Sequence, residues 1–332
     1  MLLKNKLDRT VCTQSMVMDF LTAAQQAAVA AYPWIGRGNK HEADGAGTSA
    51  MRTQMNKIEM SGVIVIGEGE MDEAPMLYIN EKLGTGNGPE VDIAVDPIEG
   101  TSLMAKGQDN SLAVIGIAEK GCLLHAPDMY MQKIAVGPRA KGCIDINLSL
   151  TENMIAIAKP LGKNVEDLTV MIQDRPRHDE LINEVITAGA RVKLFSDVDI
   201  TGAIATAFDE IDVDLLVGTG GAPEGVITAL ALKCLGGDFQ AKLIPQDENE
   251  YNRCIKMGIA HPEKALMMDD IVKTDNCFFV ATGITDGMLL KGVQQNKETG
   301  AMLTHSLVIV GGASKGYQFV DQTLYKQSVA IA

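Results

Sequence analysis

Two apolar runs in the first third of the chain each end in carboxylates. Val63-Ile64-Val65-Ile66 leads into Gly67-Glu68-Gly69-Glu70-Met71-Asp72, and Val91-Asp92-Ile93-Ala94-Val95 into Asp96-Pro97-Ile98-Glu99-Gly100-Thr101. Val- and Ile-rich runs closed by Gly or Pro read as buried strands. If the two strands are neighbours, Glu68, Glu70, Asp72, Asp96 and Glu99 gather at one end. So much like charge is unfavourable without cations, and hard divalent ions take oxygen ligands. The expected chemistry is a Mg²⁺- or Mn²⁺-dependent site.

The second half supplies groups that could meet a phosphorylated substrate. Gly218-Thr219-Gly220-Gly221-Ala222-Pro223-Glu224-Gly225 joins a strand to a helix. Glycines there let backbone N–H groups approach an anion, and the helix adds its positive end, although tight turns also need glycine. Glu224 could turn a further carboxylate towards the cations. Arg175-Pro176-Arg177 offers two guanidinium forks suited to phosphate, or a solvated helix start. Asp197 and Asp199 could bind sugar hydroxyls or cap the next helix. An acidic metal cluster, basic loops and a glycine-lined anion loop fit metal-assisted hydrolysis of a phosphate ester. Thr101 and Asp72 are the candidates to orient the attacking water. No Walker A sequence is present and no GxGxxG follows the first strand, so those nucleotide motifs are not indicated.

Positioning these groups requires two kinds of architecture. Residues 13–31 are rich in Ala, Gln, Met and Leu and stop at Tyr32-Pro33, which predicts a helix. Residues 43–57 have helical spacing, which puts Asp44 in a first turn where it could simply favour the helix dipole. Ser111–Ala118 and Cys122–Val136 read as further strands, and Thr151–Leu168 as a bridging helix. From about residue 169 strands and helices alternate, which predicts an α/β layer of parallel strands with ligands at their carboxyl ends. Strands follow at Cys277–Ala281 and Ser306–Val310. The expectation is an α/β protein whose N-terminal half is α+β. Residues 1–165 would form the metal-binding domain, and 166–332 the sugar-phosphate-binding domain.

Bulk properties narrow the partners. The 332 residues carry a net charge of −14, so no basic face presents itself and nucleic acid is disfavoured. Six scattered cysteines without a CxxC pair read as reduced thiols. Lys4, Lys6 and Arg9 before an apolar stretch imitate a signal peptide, but Asp19 and Gln25-Gln26 interrupt it. No uncharged apolar run is long enough to span a bilayer. A cytoplasmic location without membrane attachment is expected.

Asp96-Pro97-Ile98-Glu99-Gly100-Thr101 resembles the DP(I/L)(D/E)GT signature of the lithium-sensitive, metal-dependent sugar and inositol phosphatases. With Gly67-Glu68-Gly69-Glu70-Met71-Asp72-Glu73-Ala74-Pro75, it resembles one branch, the bacterial class II fructose-1,6-bisphosphatases. Gly36-Arg37-Gly38-Asn39-Lys40, Ala43-Asp44-Gly45-Ala46, Ala126-Pro127-Asp128-Met129-Tyr130, Arg175-Pro176-Arg177-His178-Asp179 and Gly220–Gly225 are similar to that family's blocks, in matching order.

The resemblance implies a layered α-β-α-β-α sugar phosphatase fold, two or more Mg²⁺ or Mn²⁺ ions per site, and release of the 1-phosphate of fructose 1,6-bisphosphate in gluconeogenesis. It implies that Asp44 and Glu68 hold one metal, and Asp96, Glu99 and Glu224 another. Thr101 would act at the attacking water or phosphoryl group, assisted by Asp72. Glu99, Gly100, Thr101, Tyr130, Arg175, Pro176, Arg177, Asp197, Val198, Asp199 and Gly221 would meet the substrate, with Lys40 as a phosphate or carboxylate partner. A homodimer or homotetramer is implied as well. The chain departs from the family at Val198, where Asp-Gly-Asp is usual. It departs also at Arg175, where Lys is usual and where Arg resembles members that also cleave sedoheptulose 1,7-bisphosphate. The alternatives are an inositol-phosphate or nucleotide phosphatase, and an inactive sugar-phosphate-binding sensor.

Overall fold

A computed structural model describes residues 11–69 and 76–324. Helix α1 (Gln14–Ala31) begins where the Thr13 side chain accepts from the Met16 N–H at 3.3 Å, and its alanine-rich body ends before Pro33. Helix α2 (Lys40–Met55) is capped by Asn39, which accepts from the Glu42 N–H. The two helices pack together and cover one face of an eight-stranded sheet. That sheet runs β11 (Gln294–Gln295), β12 (Met302–Val310), β10 (Cys277–Gly283), β4 (Leu112–Glu119), β3 (Glu90–Glu99), β1 (Ser61–Ile66), β2 (Lys82–Leu83). Strand β13 (Gly316–Leu324) pairs with β12.

The second sheet has five strands in the order β7 (Arg191–Phe195), β6 (Thr169–Gln173), β8 (Leu215–Gly221), β5 (Tyr130–Val136), β9 (Asp238–Leu243). Helix α7 (Ala222–Leu235) packs against both sheets, beside α6 (Asp199–Ala205). Helices α4 (Leu150–Leu161) and α5 (Asp179–Thr187) pack together on the outer side of the second sheet, whose outward residues share one apolar cluster with them. Short helices α3 (Thr101–Ala105), α8 (Glu248–Lys256) and α9 (Met268–Ile271) complete the described elements. The layers are thus α-β-α-β-α, as expected.

Strand periodicity distributes the apolar residues among three cores. Along β3, Val91, Ile93 and Val95 face α1 and α2, while Ala94 faces the central helices. Along β5, Met131 and Ala135 face inwards and Ile134 and Val136 face the outer helices. Helix α7 lies between two sheets, so its sequence is apolar nearly all round, with ten of its residues buried.

Three sequence expectations change. Cys122–Val136 is not one strand: Leu123 forms only an isolated bridge to Val272, and β5 starts at Tyr130, beyond Pro127. The second sheet is mixed, because β6 is parallel to β7 and β8 whereas β5 is antiparallel to β8 and β9. Sheet membership also crosses the boundary expected at residue 165. Strand β5 belongs to the second sheet, and β10, β12 and β13 return to the first.

Candidate active site

Strands β1 and β3 are parallel neighbours, with Ile66 opposite Ala94. Their carboxyl ends therefore release charge on the same side of the sheet. Glu68 follows β1 by two residues. Asp96 and Glu99 occupy the end of β3, where the register with β4 shifts between them. Pro97 sits in that irregularity, where a missing N–H disrupts no ladder bond. The Asp96 Oδ1 accepts from the Ile98 N–H at 2.9 Å and fixes the turn. Helix α7 aims Glu224 from its first turn. Asp44 comes from the second turn of α2, which starts at Lys40, so the first-turn dipole explanation for it does not hold. A cavity of about 360 Å³ is lined by Lys40, Asp44, Glu68, Asp96, Thr101 and Glu224, with Pro223 and Ile227 beside them.

The electrostatics follow from burial. Asp44 and Glu68 lie within side-chain hydrogen-bonding reach of one another, as do Asp96 and Glu99. Burial, then the nearby Asp96 and Asp44, pushes the Glu68 carboxyl up to about 9. Burial followed by Asp96 holds Glu99 well above the usual range. Burial raises Glu224 to about 7, against the opposing field of Lys133. Among the described residues no three acidic, His or Cys side chains close on one point as a ready-made cage. The donor set nevertheless fits a hard divalent cation. It is all oxygen, its carboxylates outnumber the nearby lysines Lys40 and Lys133, and among the described residues the buried Glu224 Oε2 has no hydrogen-bond partner. Gly221 explains how that oxygen fits, since a Cβ there would stand 1.9 Å from it.

Thr101 opens α3 at the pocket wall, and its hydroxyl donates to the Ile98 carbonyl at 2.8 Å. Its oxygen keeps lone pairs for a water or phosphoryl group. Lys40 is tied at 2.7 Å to the hydroxyl of Ser102, one residue further on. Asp72, the expected acidic assistant, lies outside the described residues, as does Glu70. Gly100, with φ of +79°, packs against Val198, whose Cγ2 would be 2.7 Å from a Cβ on that glycine. Val198 itself is 1% exposed and left-handed, at φ 72° and ψ 73°. That region is disfavoured for a β-branched residue, which explains why glycine suits this position.

The remaining expected residues line the second sheet's loops. Arg177 donates through Nε and Nη2 to the Thr219 carbonyl at 3.0 and 2.8 Å, and its guanidinium stands 5.2 Å from the centre of the Tyr130 ring. Tyr130 is opposite Gly221 across β5 and β8. Among the described residues Arg175 bonds only the neighbouring Asp174 carbonyl, and it is half-buried. Pro176 begins the short turn of helix between the two arginines. Asp197 accepts from the Val198 N–H.

Two residues here were not singled out from sequence. Lys133, 1% exposed, bonds Asp199 at 2.6 Å and supplies a cation behind the acidic pocket. His178 is the other, and it is a brace. Its Nε2 accepts from the Thr219 N–H at 2.8 Å, so its Nδ1 donates to the Gln173 carbonyl. Burial lowers its pKa, consistent with that neutral tautomer.

The comparisons with known proteins bear on this arrangement. The family model described as bacterial fructose-1,6-bisphosphatase, glpX-encoded, matches residues 14–323. The chain belongs to that family. Fructose-1,6-bisphosphatase 1 class 2 of Escherichia coli K12 is 45% identical over 325 residues, covering 94% of this chain and 96% of the relative. Fructose-1,6-bisphosphatase class 2 of Haemophilus influenzae Rd is 44% identical over the same shares. Among solved structures, the extragenic suppressor protein SuhB of Bartonella henselae covers 58% of this chain and 74% of its own, at 11% identity and a TM-score of 0.35. That likeness is too low to bear on the fold.

Two stability measurements check this geometry. Lys133→Met should lose about 3–5 kcal/mol, because it leaves the Asp199 carboxylate without its partner. The Lys133→Met/Asp199→Leu double variant should regain most of that stability without regaining turnover; a single variant that melts like the parent would contradict the pairing. Val198→Gly should stay within about 1 kcal/mol of the parent, since relief of left-handed strain offsets lost burial. The same change at buried Val280 in β10 should cost about 3–5 kcal/mol. Equal melting shifts for the two valines would contradict the strain.

Proposed function

We propose that this chain hydrolyses fructose 1,6-bisphosphate to fructose 6-phosphate and phosphate. The observation that carries this is the joint presence, in one cavity, of half-buried carboxylates from both halves and the Thr101 hydroxyl, in a chain of the class II bisphosphatase family. Asp44, Glu68, Asp96, Glu99 and Glu224 would hold two or more Mg²⁺ or Mn²⁺ ions. Such ions, when bound, neutralise phosphoryl oxygens and lower the pKa of water.

The chain's own groups would do the rest. Thr101 Oγ1, oriented by its bond to Ile98, would accept from the attacking water or meet the phosphoryl group, with Asp72 as its acidic partner. Glu99, Gly100 and Thr101 would border the 1-phosphate. Tyr130, Pro176 and Arg177 would form the sugar-phosphate rim, where Arg177 is already pre-oriented by the Thr219 carbonyl. Arg175, uncommitted to other side chains among the described residues, would reach the distal phosphate. Asp197, Val198, Asp199 and Gly221 would close the sugar pocket, and Lys40 would pair with an anionic oxygen. Residues 1–165 would contribute most of the metal ligands and 166–332 most of the sugar-phosphate contacts, with strands of each half entering the other's sheet.

The inositol-phosphate, nucleotide-phosphatase and inactive-sensor readings are not favoured. The relatives at 44–45% identity are named for fructose 1,6-bisphosphate, and the expected carboxylates within the described residues are all retained. Sedoheptulose 1,7-bisphosphate is proposed as a second substrate on the strength of Arg175. No helix among the described residues is long and apolar enough to cross a membrane. A cytoplasmic homodimer or homotetramer is part of the same proposal; its assembly is supported by the exposed Tyr317 and Phe319 on β13.

With Mg²⁺ or Mn²⁺ supplied, the parent should release phosphate from both bisphosphates, and Thr101→Ala should lower kcat by about 10²-fold or more while keeping its fold. Comparing kcat/KM on the two bisphosphates and an inositol monophosphate tests the assignment. Faster turnover of the monophosphate, or an unimpaired Thr101→Ala, would refute it.

A further inference from the structure

Helix α7 has the catalytic pocket at its start and a second cavity at its end. Fourteen residues at 1.5 Å each put the two roughly 20 Å apart. The second cavity, of about 970 Å³, shares no lining residue with the first. Four lysines line it: Lys141, Lys233, Lys273 and Lys315. Three aspartates stand among them, but each is already committed. Asp269 and Asp275 lie 2.5 and 3.7 Å from Lys233, which is the most buried of the four lysines. Asp238 accepts from the Gly142 and Phe239 N–H groups, both at 2.9 Å.

Lys141, Lys273 and Lys315 are left without an ion pair or a side-chain hydrogen bond among the described residues. The Lys315 ammonium lies against the left-handed Gly236 that ends α7, where a Cβ would be 2.1 Å from it. A cation is favoured at that end of a helix, so Lys315, although exposed, sets its ammonium at the cavity wall. The chain has 43 acidic and 29 basic residues, so a concavity lined by four lysines against three aspartates is an exception to its surface. Lysine ammonium groups bind phosphoryl oxygens as point charges, and their mutual repulsion is relieved by an anion carrying more than one charge.

We propose that this cavity is a second, non-catalytic site that binds a small phosphorylated metabolite carrying two or more negative charges.

Pyridoxal 5′-phosphate is a suitable probe. Its aldehyde condenses with a lysine amine, losing water, and borohydride reduces the imine to a stable secondary amine that peptide mass spectrometry locates. On the Mg²⁺-loaded protein, Lys141, Lys273 and Lys315 should be labelled about ten-fold faster than exposed Lys57 and Lys297, because the phosphate is drawn to converging charges. Pyrophosphate at constant free Mg²⁺ should protect them, while chloride at matched ionic strength should not. A second measurement is calorimetric titration of pyrophosphate with inorganic phosphate present to occupy the catalytic pocket. The Lys141→Ala/Lys273→Ala/Lys315→Ala variant should bind it about ten-fold more weakly or worse. Labelling at the rate of the control lysines, protection by chloride alone, or an unchanged dissociation constant in the triple variant would overturn the proposal.

Discussion

Repulsion among carboxylates deprived of water is the constraint around which the site is built. Asp44, Glu68, Asp96, Glu99 and Glu224 are each pushed towards their protonated forms, with burial as the first cause at every one. A fold that only needed stability would not gather them, because a buried carboxyl costs free energy whether it ionises or stays neutral. Several features lessen that cost. Lys133 places its ammonium behind Asp199 and Glu224. The first turn of α7 offers its positive end to Glu224, and the Ile98 N–H bonds Asp96. What remains uncompensated is what divalent ions would supply.

The same constraint explains why the molecule has layers. Asp44 arrives from a helix on the outer face of the first sheet, Glu68 and the Asp96–Glu99 pair from strand ends, and Glu224 from the helix between the sheets. No single element could bring Asp44, Glu68, Asp96 and Glu224 to one cavity with Glu99 behind Asp96. Three apolar cores fix the layers against one another, so the site's geometry depends on packing that lies far from the chemistry. Val198 belongs to this closure as well: it accepts a strained backbone and packs on Gly100 from the opposite side of the cleft.

Much of this could be read from the residues. Strand ends rich in carboxylates, a glycine loop before Glu224 and strand periods of two are local signals, and β1 and β3 do lie side by side. Long-range partners were harder to read. Tyr130-Met131-Gln132-Lys133-Ile134-Ala135-Val136 looks like a strand with a solvent-facing lysine, and only its pairing with β8 reveals that Lys133 is buried against Asp199. The antiparallel entry of β5 and β9 into the second sheet was hidden for the same reason, since periodicity reports faces and not neighbours. His178 lacked a partner in sequence because its partners are backbone groups at Gln173 and Thr219. The start of α2 at Lys40, three residues before the apolar period becomes visible, moved Asp44 out of the first turn.

Calorimetric titration of Mn²⁺ into the metal-free protein, repeated on Asp44→Asn and Glu224→Gln, tests the central claim most directly. If carboxylates from different layers hold neighbouring cations in one cavity, the parent binds Mn²⁺ and each single substitution weakens binding about ten-fold or more, although the two residues belong to different helices. No Mn²⁺ binding by the parent, or undiminished binding in both variants, would contradict the account.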